Sequence, residues 1–173
     1  MISTAGAVLA TSAILAGDDS IMGSPFADQL IGGTGNDSIN GGAGKDSLTG
    51  GPGTDQLTGG PGADHFVFPA TTDSAVGPAR EVITDFHHSQ HDKIDLHLID
   101  ADQRASHPGN QAFVFIGTET FAHYHSLHHN VVGMVRFNPH THVVQGNVNA
   151  SLAPDFEIAV PHVAALVAGD FIL

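Results

Sequence analysis

Six aspartates recur every nine residues, Asp19, Asp28, Asp37, Asp46, Asp55 and Asp64, and each is followed two positions later by a large apolar residue, Ile21, Leu30, Ile39, Leu48, Leu57 or Phe66. Ahead of the last four, glycines fill fixed places: Gly32, Gly33 and Gly35; Gly41, Gly42 and Gly44; Gly50, Gly51 and Gly53; Gly59, Gly60 and Gly62. A short carboxylate beside a turn whose carbonyls are freed by glycine geometry offers several oxygens at close range. That is the chemistry of a hard cation, and calcium, with roughly six to eight oxygen ligands, fits the donor set.

The elements that hold these donors follow from the same spacing. The chain divides without gaps into GGTGNDSIN (32–40), GGAGKDSLT (41–49), GGPGTDQLT (50–58) and GGPGADHFV (59–67), preceded in frame by ILAGDDSIM (14–22) and GSPFADQLI (23–31). Glycine permits backbone angles and close approaches that a Cβ blocks, so each unit reads as a tight turn and a strand of about three residues. The large apolar side chain of each unit must point inward. If two units complete one coil, Asp19, Asp37 and Asp55 form one column and Asp28, Asp46 and Asp64 the other, with calcium between stacked turns. A flexible Gly/Asp linker has the same composition. Nothing in a linker, however, holds an aspartate and a large apolar residue two positions apart through every one of these units.

The four full units resemble the RTX (hemolysin-type) calcium-binding nonapeptide, G-G-x-G-x-D-x-U-x. The resemblance implies a parallel β-roll in which Asp side chains and carbonyls of the glycine turns ligate several calcium ions. On this chain it points to the aspartates of the two columns and to the glycines of 32–62. Units 14–22 and 23–31 lack the glycine pair, so the first site of each column departs from the pattern.

Beyond Phe66 glycine thins out, and strand-like runs occur at 66–68, 81–85, 93–98, 112–116, 131–137, 142–148, 156–160 and 171–173, with a short helix expected at 162–167. The stretches GADHFVF (62–68), EVITDF (81–86), HDKIDL (91–96), QAFVFIG (111–117), DFEI (155–158) and GDFIL (169–173) resemble, in that order, the C-terminal domain of serralysin-type secreted metalloproteases. The expected fold is all-β: a parallel β-roll of nine-residue repeats continuing into an antiparallel or mixed β-sandwich-like C-terminal cap. Its expected parts are an N-terminal lead or capping segment (1–16), the roll (17–68) and the cap (69–173). Asp85 and Asp92 lie just past the last repeat, where a further carboxylate either closes the final calcium site or caps a turn; Asp92 is the candidate ligand. The family's G-D-x-N-G-D-G-like loop is replaced by GNVNASLAPDF (146–156), and its ion site is expected to be lost.

Only five Lys and Arg stand against 18 Asp and Glu, a formal net charge of −13. That balance argues against nucleic acid and anionic membranes and for cations. Cysteine is absent, which excludes disulfides and thiolate metal sites. The run Ala5–Ala16 resembles the apolar stretch of a signal peptide, but no Lys or Arg precedes it and it is too short to span a bilayer. A capping helix or part of a larger chain accounts for it as well, and no other segment is apolar enough for membrane insertion.

A protease centre of the serralysin type needs H-E-x-x-H, and none of the 13 histidines is followed by Glu. G-x-S-x-G and phosphate-loop patterns are missing too, so no catalytic residue is expected. The histidines cluster at His87, His88 and His91, at His123, His125, His128 and His129, and at His140 and His142. Pairs two apart on a strand, such as His123 with His125 or His140 with His142, would share a face and could hold zinc, nickel or copper; solvated residues that become charged in mild acid are the other reading.

The segment GDFIL (169–173), an acid followed by three hydrophobics, resembles the uncleaved C-terminal signal read by bacterial type I secretion machinery. The expectation is a secreted, extracellular, monomeric bacterial module that is unfolded in low calcium and folds where calcium reaches about 10⁻³ M. The alternatives are an accessory module of a secreted enzyme, protease or alginate epimerase-like, and a histidine-based transition-metal or surface-binding protein.

Overall fold

With one inward side chain per unit, a nonamer has length for a single pleat, and its middle strand residue is the buried one. The computed structural model of the chain describes residues 2–3, 16–103, 110–129 and 132–173. After a short strand β1 (Ile2–Ser3), the repeats give β2 (Ser20–Met22), β3 (Gln29–Ile31), β4 (Ser38–Asn40), β5 (Ser47–Thr49), β6 (Gln56–Thr58) and β7 (His65–Val67). Alternate units lie in opposite sheets. Ile21 pairs in parallel register with Ile39, and Ile39 with Leu57; Leu30 pairs with Leu48, and Leu48 with Phe66. The expected two-unit coil is therefore the one formed.

Both ladders run on past the repeats. β8 (Glu81–Ile83) sets Ile83 against Leu57, and β9 (Lys93–Asp95) sets Ile94 against Phe66. The rest of the chain supplies β10 (Val114–Phe115), helix α1 (Phe121–His128), β11 (Met134–Asn138), β12 (Val143–Asn147), β13 (Phe156–Ala159) and β14 (Phe171–Ile172). One sheet has the order β1-β2-β4-β6-β8-β13-β12-β11-β10, parallel through the roll and antiparallel from β13 to β11; the other is β14-β9-β7-β5-β3. The roll thus merges into the cap through shared sheets.

A continuous apolar core follows the same path. The inward residues Leu30, Ile39, Leu48, Leu57 and Phe66 join Ile83, Ile94, Phe137, Val144, Phe156, Ile158 and Phe171 in one cluster. Each such side chain contributes on the order of 1.5–3 kcal/mol through removal from water. A smaller cluster of Phe121 and Met134, with Ile116 and Tyr124 against it, seats α1.

Two local expectations fail for identifiable reasons. Residues 162–167 are turn and extended chain, with a 3-10 turn only at Ala168–Asp170. Imidazole nitrogens of His142 and His88 bond the carbonyls of Val163 and Ala165, which a helix would have given to its own amides. Conversely, the histidine-rich run forms α1: Thr120 accepts the His123 amide as its N-cap, and His129 closes the helix in the left-handed conformation. The reading of 5–16 as a lead or signal segment falls almost wholly outside the described residues.

Candidate metal centre

Each column of aspartates is tied by one repeated bond. The amide of Asp19 donates to Asp37 Oδ1 (2.8 Å) and that of Asp37 to Asp55 Oδ1 (2.7 Å). In the other column the steps are Asp28 to Asp46 (2.8 Å), Asp46 to Asp64 (2.9 Å) and Asp64 to Asp92 (3.0 Å). The bond fixes each carboxylate and uses one oxygen. The second oxygen, Oδ2 of Asp19, Asp37, Asp46, Asp55 and Asp64, is buried without a hydrogen-bond partner. A buried acceptor left unpaired costs about 1–3 kcal/mol, and more for a charge, so a row of them in register marks a place for a cation.

The glycines keep that place open for two different reasons. At the first place of a unit, a Cβ on Gly32, Gly41, Gly50 or Gly59 would fall on Oδ2 of the same unit's Asp. At the second place the backbone is left-handed, as at Gly51 with φ of +103°. The carbonyls of Gly33, Gly35, Gly42 and Gly44 meanwhile press against the glycines one coil on, lining the gaps with further oxygens. Among the described residues no three His, Asp or Glu side chains converge on one point. Carboxylate pairs completed by carbonyls are what this frame offers, a donor set of oxygen alone that suits calcium and not the softer metals.

Burial pushes the Asp55 and Asp64 carboxyls up to about 6, with like-charged neighbours in the column adding to it. Asp37 and Asp46 are raised by the same causes. Such groups are reluctant anions until a cation sits beside them.

The two ends of the roll are finished differently. At the N-terminal end, Asp28 Oδ2 already accepts the Ser24 amide (2.5 Å) and hydroxyl (2.8 Å), Ser24 standing in the place of a glycine. At the C-terminal end, Asp85 caps the turn, accepting the amides of Gly59 and Gly60 at 2.8 Å each, and Gln90 accepts that of Gly62. Asp92 stands in the sixth place of the last coil of its column, accepting Asp64 and, through its other oxygen, the His87 amide (2.8 Å).

The register places Glu81 opposite Asp55 in the sixth place of the other column. Spacing did not find it, because the step from Leu57 to Ile83 is longer than a two-unit coil. Its signal was local: Glu81-Val82-Ile83 repeats the acid, any residue, large apolar order of Asp55-Gln56-Leu57.

Outside the roll, the loop 146–156 is closed by protein donors. Asp155 accepts the Val148 amide (2.7 Å) and the Asn149 side chain, which leaves no open carboxylate oxygen for an ion. The histidine pairs do not meet as a strand would have them. His123 and His125 lie on α1, where residues two apart point to different sides, and His142 sits in a turn at φ of 55°.

The comparisons with known proteins agree with this geometry. Residues 15–48 and 31–66 match the RTX calcium-binding nonapeptide repeat, in four copies. The AlgE6R3 subunit of the Azotobacter vinelandii mannuronan C5-epimerase is similar in structure, with a TM-score of 0.58 and 27% identity over 90% of this chain and 78% of that one. The AlgE6R2 subunit of the same epimerase has a TM-score of 0.51 and 28% identity, over 88% and 91%. No curated protein sequence matches the chain. Residues 15–66 are RTX calcium-binding nonapeptide repeats, folded as a parallel β-roll.

Proposed function

We propose that this chain, built on RTX calcium-binding repeats, is a non-catalytic module of a secreted bacterial protein that folds around calcium outside the cell and carries a type I secretion signal at 169–173. The observation that carries the reading is the row of buried, unpartnered Oδ2 atoms of Asp37, Asp46, Asp55 and Asp64, each held in a glycine turn. Those four carboxylates with the glycine carbonyls, joined at the N-terminal end by Asp19, are the ligands of the proposal; Asp92, bonded at both oxygens, closes the last turn of its column instead. Without calcium the columns are acid groups stacked in a poorly solvated space, and the formal charge of −13 opposes closing the roll. With calcium, binding energy becomes folding energy.

The secretion signal is consistent with that order of events. Phe171 and Ile172 pair with Ile94 and Asp95, and Phe171 is buried in the shared core. A receptor can therefore read 169–173 only before the chain folds. Circular dichroism during a calcium titration tests the proposal: the chain should gain β signal on adding calcium and lose it in chelator. Equal folding in both would refute it.

The likeness to two epimerase subunits over most of this chain favours one refinement, that the module serves a secreted polysaccharide-modifying enzyme. Retention of mannuronan by the calcium-loaded chain, without turnover, is the outcome expected of such an accessory module.

A further inference from the structure

We infer that a calcium site outside the nonapeptides lies between Asp55 and Glu81, where the first column leaves the repeats and enters the cap. The inference rests on the proposed calcium binding of the roll and extends it to a residue that no repeat pattern includes.

Glu81 is fully buried, and neither of its carboxylate oxygens has a hydrogen-bond partner. The polar groups that face it are the carboxyls of Asp55 and Asp73 and the Gly51 amide. Asp73 is engaged with the Ala70 amide through Oδ2 (2.8 Å). Among the described residues no cation offsets the pair: neighbouring Arg80 is turned to Glu157, at 2.9 Å. Asp55 is also fully buried, with its own Oδ2 unpartnered. Asp55 and Glu81 thus bring three open carboxylate oxygens to one step of the ladder.

The extra methylene of glutamate explains the difference from the steps before it. Asp37, Asp55 and Asp92 each accept through Oδ1 the amide of the Asp one coil before, whereas Glu81 does not take the Asp55 amide in this way and turns both oxygens toward the Gly51 amide and the acid groups. Calcium commonly takes a glutamate by both oxygens. The residue is also held in position. Its amide donates to Ser74 Oγ (2.9 Å), and the Ser74 hydroxyl donates to the Glu157 carbonyl on β13. The cap therefore sets the depth of Glu81 against the end of the column.

The competing state is a neutral acid pair. Burial, then the Asp55 and Asp73 charges, hold the Glu81 carboxyl well above its ordinary value in the absence of a cation. Counting ions separates the two. The full-length chain and its Glu81→Gln variant are loaded with calcium, and bound ions are counted by native mass spectrometry. The variant should hold one ion fewer while its other sites still fill. Equal counts overturn the inference and leave the repeats as the calcium centre; a wild-type chain that binds no calcium refutes the proposed function instead. Anomalous diffraction from wild-type crystals grown in calcium needs no variant: a peak about 2.3–2.6 Å from the Glu81 oxygens is expected, and an empty gap between Asp55 and Glu81 overturns the site.

Discussion

In the cap away from the roll, acids are answered by the protein. Asp155 holds the Val148 amide and Asn149, Asp170 holds His88 and the Val167 amide, and Glu157 holds Gln145 at one oxygen and Arg80 with Gly77 at the other. In the roll, Asp37, Asp46, Asp55 and Asp64 are answered at one oxygen and left open at the other. The same residue type therefore does two jobs. Where both oxygens are bonded, the carboxylate is internal scaffolding; where one is open, the fold awaits an ion from solution. The roll should track calcium, and the cap should follow only through the core they share.

The sharpest way to break that contrast is hydrogen exchange in chelator. As calcium is withdrawn, amides of β4 to β7 should lose their protection first and those of β11 to β13 only at lower calcium; simultaneous loss would erase the distinction. Next in size is the core. Leu57→Ala, which empties a fully buried position under both columns, should cost about 2–5 kcal/mol in denaturant unfolding at saturating calcium.

Substitution of the acids divides the regions directly. Asp46→Asn should raise the calcium midpoint at least about tenfold, equivalent to roughly 1.4 kcal/mol. Asp155→Asn should lower stability by about 1–3 kcal/mol without moving that midpoint. A shift of the midpoint by Asp155→Asn would show that cap acids bind calcium too.

Acidity should favour the calcium-free roll and the cap alike while weakening calcium binding, with the smallest effects. In the calcium-free roll, burial holds Asp55 and Asp64 at about 6, above their unfolded values. Folding then takes up protons as pH falls through 6, and the calcium-free roll loses stability as pH rises through it. Calcium needs the ionised forms, so its apparent affinity should fall below pH 6 in titrations. At the cap, burial works against protonating His88, but the Ala165 carbonyl and the Asp170 carboxylate outweigh it and raise its pKa. Both ring nitrogens face acceptors, at 2.8 and 2.7 Å, which requires the imidazolium. Its contribution is full below the unfolded histidine range and is lost as pH rises through the folded value. His88 is half-exposed, so a slight decline in cap stability on the alkaline side, absent in His88→Ala, is the expected reading.

The parts legible in sequence were those that repeat. Six in-frame units state the inward residue, the turn and the carboxylate many times over, so the two-column roll could be read without a structure. Glu81 was hidden because the steps out of the roll span 26 and 28 residues and break the period, although the acid and apolar order persists. Helix α1 was masked by its histidines. The run FAHYHSLH contains no β-branched residue and follows a threonine, which are helix signals that outrank the strand reading. Residues 162–167 mislead in the other direction, because Val163 and Leu166 are spaced as on a helix, yet distant imidazoles claim the carbonyls.

The alternation of units between the two sheets makes the molecule a counter with parity. Inserting one full coil of two nonamers would lengthen each sheet by a single strand, about 4.8 Å, and leave every later residue on its own side. Inserting a single nonamer would send every later strand to the opposite sheet, bringing Glu81 under the wrong column and β14 against the wrong edge. Natural or engineered changes in the length of this roll should therefore come in even numbers of repeats.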